Sequence, residues 1–385
     1  MKAPGCLLVT VDFPPSVTGG IQRYYYDLCR ESNGRISVLA PRSEGCDHFD
    51  KAQSFDVKRV RLPMRGSPLS RALLTILITL HAARVLLFGS RKKLIVGHWF
   101  LLPTLLGVGR LRSVQTAAVM HGGELSRFRP GSMLRRVVVA AINRCDEVIV
   151  NSSYTAGQFA ERGVEKSRIK VLTPGVDSGS YQPATEHAPH RLLGKSEFDG
   201  ITLLTVGTLV ERKGHARVIS VLPRILAKHP PTRYVIIGDG PCRSDLTAQA
   251  SRLGLARSVH LLGRATDAEV VQWMRACDIF VMVSKNLPGQ FGEEGFGIVY
   301  LEANACGKPV VGGDSGGVRD AVIDGVTGLL VNPLDSEALF EALDRLISRK
   351  DLRDSLGQQG RQRAVNEFQW RDRVEALLAG SAGYE

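Results

Sequence analysis

Short runs of Val, Ile, Leu and Ala alternate along this chain with longer stretches whose apolar residues recur at helical spacing. A run that is apolar at nearly every position, rather than at alternate ones, reads as a parallel strand covered on both faces. In the first half such runs occupy 6–11, 36–40, 94–97, 116–120, 147–150 and 169–172. In the second half they occupy 201–206, 233–237, 259–262, 278–283, 309–311 and 328–331, and helical patterns at 216–228, 243–253, 267–276 and 336–347 separate them. This β-α alternation, present twice, predicts two doubly wound α/β domains with parallel sheets. Between them, 174–194 contains Pro174, Gly175, Gly179, Pro183, Pro189 and Gly194 without periodicity, as a linker does.

Length agrees with this division, since 385 residues exceed what a single core usually supports. Hydrophobic residues at 44% and charged residues at 23% exclude a disordered, collagenous or coiled-coil chain. The net charge of +12 changes the picture more, because it is unevenly placed. Residues 1–180 hold 26 Lys+Arg against 13 Asp+Glu, whereas 181–385 hold 24 against 25, so one domain is expected to face something acidic. Seven scattered cysteines without a C-x-x-C pair suggest neither a disulfide framework nor a zinc site and fit a reducing cytosol. No signal peptide is read at the N-terminus. The apolar segment 72–88 contains His81 and Arg84, falls short of the ~20 apolar residues of a membrane span, and is expected to be a buried or surface-lying helix.

Ligands of open α/β sheets sit beyond the carboxyl ends of strands, so the residues that follow each apolar run carry the functional reading. After the first run come Asp12-Phe13-Pro14-Pro15 and then Gly19-Gly20 opening a helix, where the backbone can approach a ligand and free N–H groups favour an anion; an ordinary tight turn is the alternative. His121-Gly122-Gly123-Glu124 follows the run at 116–120, which places His121 to reach a crevice or, equally, to be a hydrogen-bonded structural residue. Arg212-Lys213-Gly214 follows the run at 201–206 as a candidate phosphate clamp. Gly238-Asp239-Gly240 resembles the start of a dinucleotide fingerprint, yet Arg243 replaces its third glycine, leaving a weak nucleotide signal. The fullest local pattern is Glu293-Glu294-Gly295-Phe296-Gly297-Ile298-Val299-Tyr300-Leu301-Glu302, in which glycines open a helix of about ten residues closed by Gly307. There the N–H groups of Gly295 to Ile298 suit a diphosphate, and Glu294 and Glu302 suit sugar hydroxyls.

Glu294-x7-Glu302 within this pattern, with Lys213-Gly214, Gly19-Gly20 and His121-Gly-Gly-Glu, resembles the retaining GT-B glycosyltransferases of family 4. The likeness is strongest to the bacterial phosphatidylinositol mannosyltransferases and related polysaccharide mannosyl- and glucosyltransferases. It spans nearly the whole chain. The resemblance implies two Rossmann-like domains facing across a cleft. An acceptor domain would cover 1–180, joined by a returning C-terminal helix from 366–385, and a donor domain would cover 181–365. It implies that a hexose, mannose before glucose or GlcNAc, moves from a GDP- or UDP-linked donor to a lipid-linked or phosphorylated acceptor in glycolipid or surface polysaccharide synthesis. Lys213 would neutralise the diphosphate with the backbone of Gly20 and the helix opening at Gly295, Glu294 would hold donor-sugar hydroxyls, Glu302 the ribose, and His121 the sugar near the reacting carbon. No enzyme nucleophile and no cofactor beyond the donor are implied. The absence of Asp-x-Asp implies no required metal. The family commonly carries Arg where this chain has Thr208, and Arg212 is the candidate substitute.

The basic first half, with Arg91-Lys92-Lys93, Arg127-Phe128-Arg129 and Arg135-Arg136, leads to the expectation of a cytoplasmic enzyme peripheral to the anionic inner face of the plasma membrane. A nucleic-acid partner is not expected, because the basic residues lack interleaved aromatic platforms. A sugar-nucleotide epimerase and a non-catalytic nucleotide-sugar or lipid-binding protein are the alternatives from other classes.

Overall fold

A computed structural model describes residues 5–15, 19–61, 68–184, 198–287 and 292–379, with 68–71 as backbone. Contacts divide the chain into two compact units, Met1–Pro174 with Trp370–Glu385, and Gly175–Gln369. Residues 185–194 of the linker and the last six residues lie outside the described ones.

The first unit is built on seven strands: β1 (Cys6–Val9), β2 (Ile36–Pro41), β3 (Val57–Val60), β4 (Lys93–Val96), β5 (Gln115–Met120), β6 (Glu147–Val150) and β7 (Ile169–Val171). They pair in parallel in the order β3-β2-β1-β4-β5-β6-β7. Leu7, Val9, Leu94, Val96, Ala118 and Met120 fill one core beneath the helices Pro68–Leu87, Leu102–Leu111 and Met133–Ile142. Their neighbours Leu8, Ile95 and Val119 are buried on the opposite face. A strand covered on both sides has no polar face to show, which is why the runs lack alternation. The Trp370–Ala379 helix docks on this unit. Arg35 grips Glu375 with two bonds of 2.9 and 2.6 Å, and buried Lys93 donates to the Leu377 carbonyl at 2.6 Å and to Glu147 at 2.6 Å.

The second unit contains β8 (Ile201–Val206), β9 (Thr232–Ile237), β10 (Val259–Gly263), β11 (Ile279–Met282), β12 (Val310–Gly313) and β13 (Gly328–Val331). These run parallel in the order β10-β9-β8-β11-β12-β13. Alternate residues again serve two cores. Leu203, Tyr234, Ile236 and Val281 face one, and Leu204, Val235, Ile237 and Met282 face the other.

All of the 72–88 segment but Phe88 belongs to the Pro68–Leu87 helix, which buries Leu74, Ile78, Ala82 and Leu86 while Ile76, Leu80 and Leu87 stay exposed. No helix among the described residues is long and apolar enough to cross a membrane.

Candidate functional site

Each sheet has one place where successive strands are laid down on opposite sides, between β8 and β11 in the second unit and between β1 and β4 in the first. Open α/β sheets form their ligand crevice at this reversal.

In the second unit β8 leads through Gly207 and exposed Thr208 into a short turn, Glu211–Lys213, that ends on left-handed Gly214. A Cβ on Gly214 would stand 2.3 Å from the Val283 carbonyl oxygen, so glycine here lets the turn press against the end of β11. That contact brings three donors onto one oxygen. Lys213 Nζ donates to Glu294 Oε2 at 2.5 Å, Arg212 Nη1 at 3.2 Å and Ser284 Oγ at 3.2 Å. Burial opposes charge on Glu294, but the Lys213 and Arg212 cations and the bonds from Lys213 and Ser284 outweigh it and hold the carboxyl below its usual range. Two cations therefore meet one carboxylate, which leaves an excess positive charge at the crevice of the second unit. Such a site favours an anion.

The Ile298–Ala305 helix begins only after Gly297 turns left-handed at φ 89°, so Glu294 stands in the loop before the helix and Glu302 within it. Gly295 precedes that turn, and a helix start leaves the N–H groups at positions such as Ile298 unsatisfied by the helix itself. Phe296 is buried against Phe368, with ring centroids 6.0 Å apart, and Glu302 is buried within the helix. Gly238 has φ 142°, and a Cβ there would lie 2.0 Å from the Gly207 carbonyl oxygen; close backbone packing accounts for this glycine. The Thr208 carbonyl faces His215 Nε2 at 3.2 Å. Ser284 gave no sequence signal, although it directly follows an apolar run.

In the first unit His121 leaves the end of β5. Its backbone N–H and that of Gly122 donate to Glu124 at 2.6 and 2.8 Å, which fixes the turn. The ring lies edge-on to Tyr24 and Tyr25 and places Nε2 3.0 Å from Tyr25 Oη. Tyr25 Oη donates its proton to the Gly97 carbonyl at 2.9 Å, so it accepts from His121, and Nε2 carries the hydrogen. Burial pushes the His121 pKa down to about 4, keeping the ring neutral with Nδ1 as an acceptor. Beside it, His98 at the end of β4 pairs through Nε2 with Asp12 Oδ2 at 2.9 Å, and Gln22 donates to Asp12 Oδ1 at 3.3 Å. His98 escaped the sequence reading, although it too follows an apolar run. Gly19 is extended, and neither its φ nor that of Gly20 is positive; a Cβ on Gly20 would meet nothing within 4 Å. Neither packing nor conformation requires glycine at 20, as expected where a ligand approaches the backbone.

Residues 194–363 match the family described as glycosyl transferases group 1, and residues 18–179 match glycosyltransferase family 4. The chain is 33% identical to the GDP-mannose-dependent alpha-(1-6)-phosphatidylinositol monomannoside mannosyltransferase of Mycolicibacterium smegmatis, over 97% of this chain and 98% of that one. The chain belongs to this glycosyltransferase family. A Corynebacterium glutamicum relative, a GDP-mannose-dependent monoacylated alpha-(1-6)-phosphatidylinositol monomannoside mannosyltransferase, is 30% identical over 96% of each chain. Among solved structures, Anabaena HepE in complex with UDP and glucose superposes with a TM-score of 0.81 at 21% identity, covering 97% of this chain and 98% of its own. Sucrose-phosphate synthase of Thermosynechococcus elongatus gives 0.77 at 21% identity over 98% of both chains. These neighbours establish the GT-B fold, and the family membership makes the protein a glycosyltransferase.

Proposed function

We propose that this glycosyltransferase moves mannose from GDP-mannose to a phosphatidylinositol-mannoside type of glycolipid, with retention of anomeric configuration and without a metal. The observation that carries the reading is the excess cation at the Lys213–Arg212–Glu294 cluster, together with full-length relatives that use GDP-mannose. Lys213 and Arg212 would bind the donor diphosphate and stabilise the charge that accumulates on it as the glycosidic bond breaks, the largest lever such a site has. Arg212 takes the part left open by Thr208. The same contacts release Glu294 from its cations, free to accept hydroxyls of the sugar. Neutral His121, fixed by Tyr25, contacts the sugar near the reacting carbon through Nδ1. Attack from the face that the diphosphate leaves, with the departing phosphate taking the acceptor proton, needs no enzyme nucleophile.

Membrane attachment is part of the proposal. The three helices over one face of the first sheet expose Ile76, Leu80, Leu87, Leu111, Met133, Leu134 and Val137, with Arg84, Arg110, Arg112 and Arg136 exposed among them. That combination suits an anionic lipid surface and supports the reading of an enzyme peripheral to the cytoplasmic face of the membrane.

The test is GDP release from GDP-mannose with vesicles that contain phosphatidylinositol mannosides, run with and without EDTA, with the new linkage read by NMR. Turnover of UDP-sugars alone would overturn the donor assignment; a β-linkage would overturn retention, and loss of activity in EDTA would overturn metal independence.

A further inference from the structure

Tyr24 and Tyr25 are neighbours on the Gly20–Glu31 helix, and both side chains are buried. Successive helical positions point about 100° apart, so burial of both means that the helix is covered on two sides. Tyr25 reaches the end of β4, where a Cβ on Gly97 would stand 2.8 Å from its Oη. Tyr24 meets the Trp370–Ala379 helix, its ring 5.5 Å from that of buried Trp370 at 73°. The same Tyr24 ring stands 5.3 Å from His121 at 83°. Trp370 therefore backs Tyr24, and Tyr24 and Tyr25 both bear on His121.

The His121 ring needs the second contact. It is fixed at its Cβ and, through the bond to Tyr25 Oη, at Nε2, which leaves it free to turn about the line between them. Nδ1 lies off that line and swings as the ring turns. The perpendicular rings of Tyr24 and Tyr25 remove this freedom, in the edge-to-face arrangement that aromatic pairs prefer. Tyr24 is located in turn by the way the first unit closes. Its Oη donates to the Leu172 carbonyl at 3.4 Å, and Arg373, one turn after Trp370, donates to the Thr173 carbonyl and hydroxyl at 3.3 and 2.9 Å. Leu172 and Thr173 stand just before Pro174, where the first segment of this unit ends, and Trp370 opens its second segment.

We propose that Tyr24, backed by Trp370, is a positioning residue of the transfer reaction, setting the plane of the His121 ring and so aiming Nδ1 at the donor sugar. Tyr24 is buried and acts only through His121. The returning helix thereby serves catalysis as well as folding, because a misplacement of about 1 Å at a reacting centre costs about 10²-fold in rate.

This role rests on the transferase reading and on His121 as a sugar contact, and the experiment tells their failures apart. Tyr24→Leu, Tyr24→Phe and Trp370→Phe are made in the wild-type and His121→Ala backgrounds, and kcat and KM are measured for GDP release from GDP-mannose with phosphatidylinositol mannoside vesicles. Tyr24→Leu is expected to lower kcat about 10²-fold and to leave the KM for GDP-mannose within about twofold. Tyr24→Phe keeps the ring and should hold kcat within about threefold of wild type. In the His121→Ala background Tyr24→Leu should cause no further loss, since a residue that acts through His121 has nothing left to act on. Full additivity in the double variant, or a folded Tyr24→Leu with kcat within about threefold of wild type, overturns the proposal. If Tyr24→Leu does not fold, Trp370→Phe, which shrinks the backing ring without removing it, decides by the same non-additivity. Nitrogen NMR of histidine-labelled protein gives an arm independent of turnover. The His121 ring should show the single Nε2–H tautomer in wild type and Tyr24→Phe and a mixture in Tyr24→Leu; an unchanged tautomer overturns the proposal. A wild-type protein that turns over no nucleotide sugar refutes the transferase reading, and full turnover in His121→Ala refutes the sugar contact. In either case the NMR arm still decides whether Tyr24 holds the ring.

Discussion

Charge swaps at the cluster in the second unit should have opposite signatures. Lys213→Met takes the cluster from one excess positive charge to none. Glu294 keeps Arg212 and Ser284, each at 3.2 Å, so no buried charge is orphaned and the melting temperature should scarcely move. A diphosphate loses more, because a unit charge about 4 Å away is worth about 4 kcal/mol at an effective dielectric of 20. The part of that attraction that grows as the bond breaks sets the fall in kcat, about 10²–10³-fold by comparison with removal of one donor to a developing anion. Glu294→Gln does the reverse by leaving two cations with a neutral partner. Removing one member of a buried pair costs up to about 3–5 kcal/mol, and the apo protein should melt well below wild type. GDP supplies the missing negative charge, so its stabilising increment should be larger in Glu294→Gln than in wild type, although catalysis falls in both variants. Thermal melts with and without GDP, together with initial rates of GDP release, measure all of these quantities. The reasoning fails if Lys213→Met keeps kcat within about threefold, or if GDP raises the melting temperature of Glu294→Gln no more than that of wild type.

Gly20→Val should fold as wild type, since its side chain enters open space, yet lose donor turnover; Gly238→Ala should do the opposite, lowering the melting temperature by an overpacking cost of about 1–3 kcal/mol, because its Cβ would meet the Gly207 carbonyl at 2.0 Å. His121 and His215 are both held at about 4 by burial, below the ordinary 6.5, so the unfolded chain binds more protons between those values. Stability from this source is therefore complete above pH 6.5 and lost as pH falls toward 4, and a His215→Asn variant should show a flatter decline in melts across that range. Leu80→Asp and Phe88→Asp, at positions 61% and 87% exposed, should leave stability unchanged and abolish co-sedimentation with anionic vesicles at low salt; undiminished binding would remove this face from the membrane reading.

Most of both sheets could be read from the chain because their strands are buried on two sides and their apolar runs are continuous. β3 could not, because in Val57-Lys58-Arg59-Val60 each face of this edge strand carries one apolar and one charged residue, which leaves neither an apolar run nor an alternation to read. The Lys350–Glu367 helix was equally silent. It buries Gly357 and Gly360 beside Leu356 and Ala364, and a Cβ on Gly357 would stand 2.1 Å from the Gly307 carbonyl, so half of these buried positions carry no side chain that an apolar pattern could show. At the site, Lys213, Arg212 and Glu294 were legible as strand-end charges, but the meeting of Lys213 with Glu294 spans a separation of 81 positions along the chain.

The basic excess of the first unit is not located where its crevice is. At the ends of β1, β4 and β5 stand Asp12, Glu124, His98 and neutral His121, with Arg127 at the margin, a nearly balanced set. Part of the surplus lies on the outer sides of the helices that cover one face of the sheet, in Arg84, Arg110, Arg112 and Arg136, all exposed and without carboxylate partners among the described residues. Charge spread over a surface attracts any anionic plane and falls off within about a Debye length, roughly 8 Å at physiological salt. It can concentrate the protein near its acceptor but cannot tell one headgroup from another. Discrimination must then come from short, directional bonds in the balanced crevice, and the divided placement of charge is what a transferase requires if it must find a surface first and select a hydroxyl second.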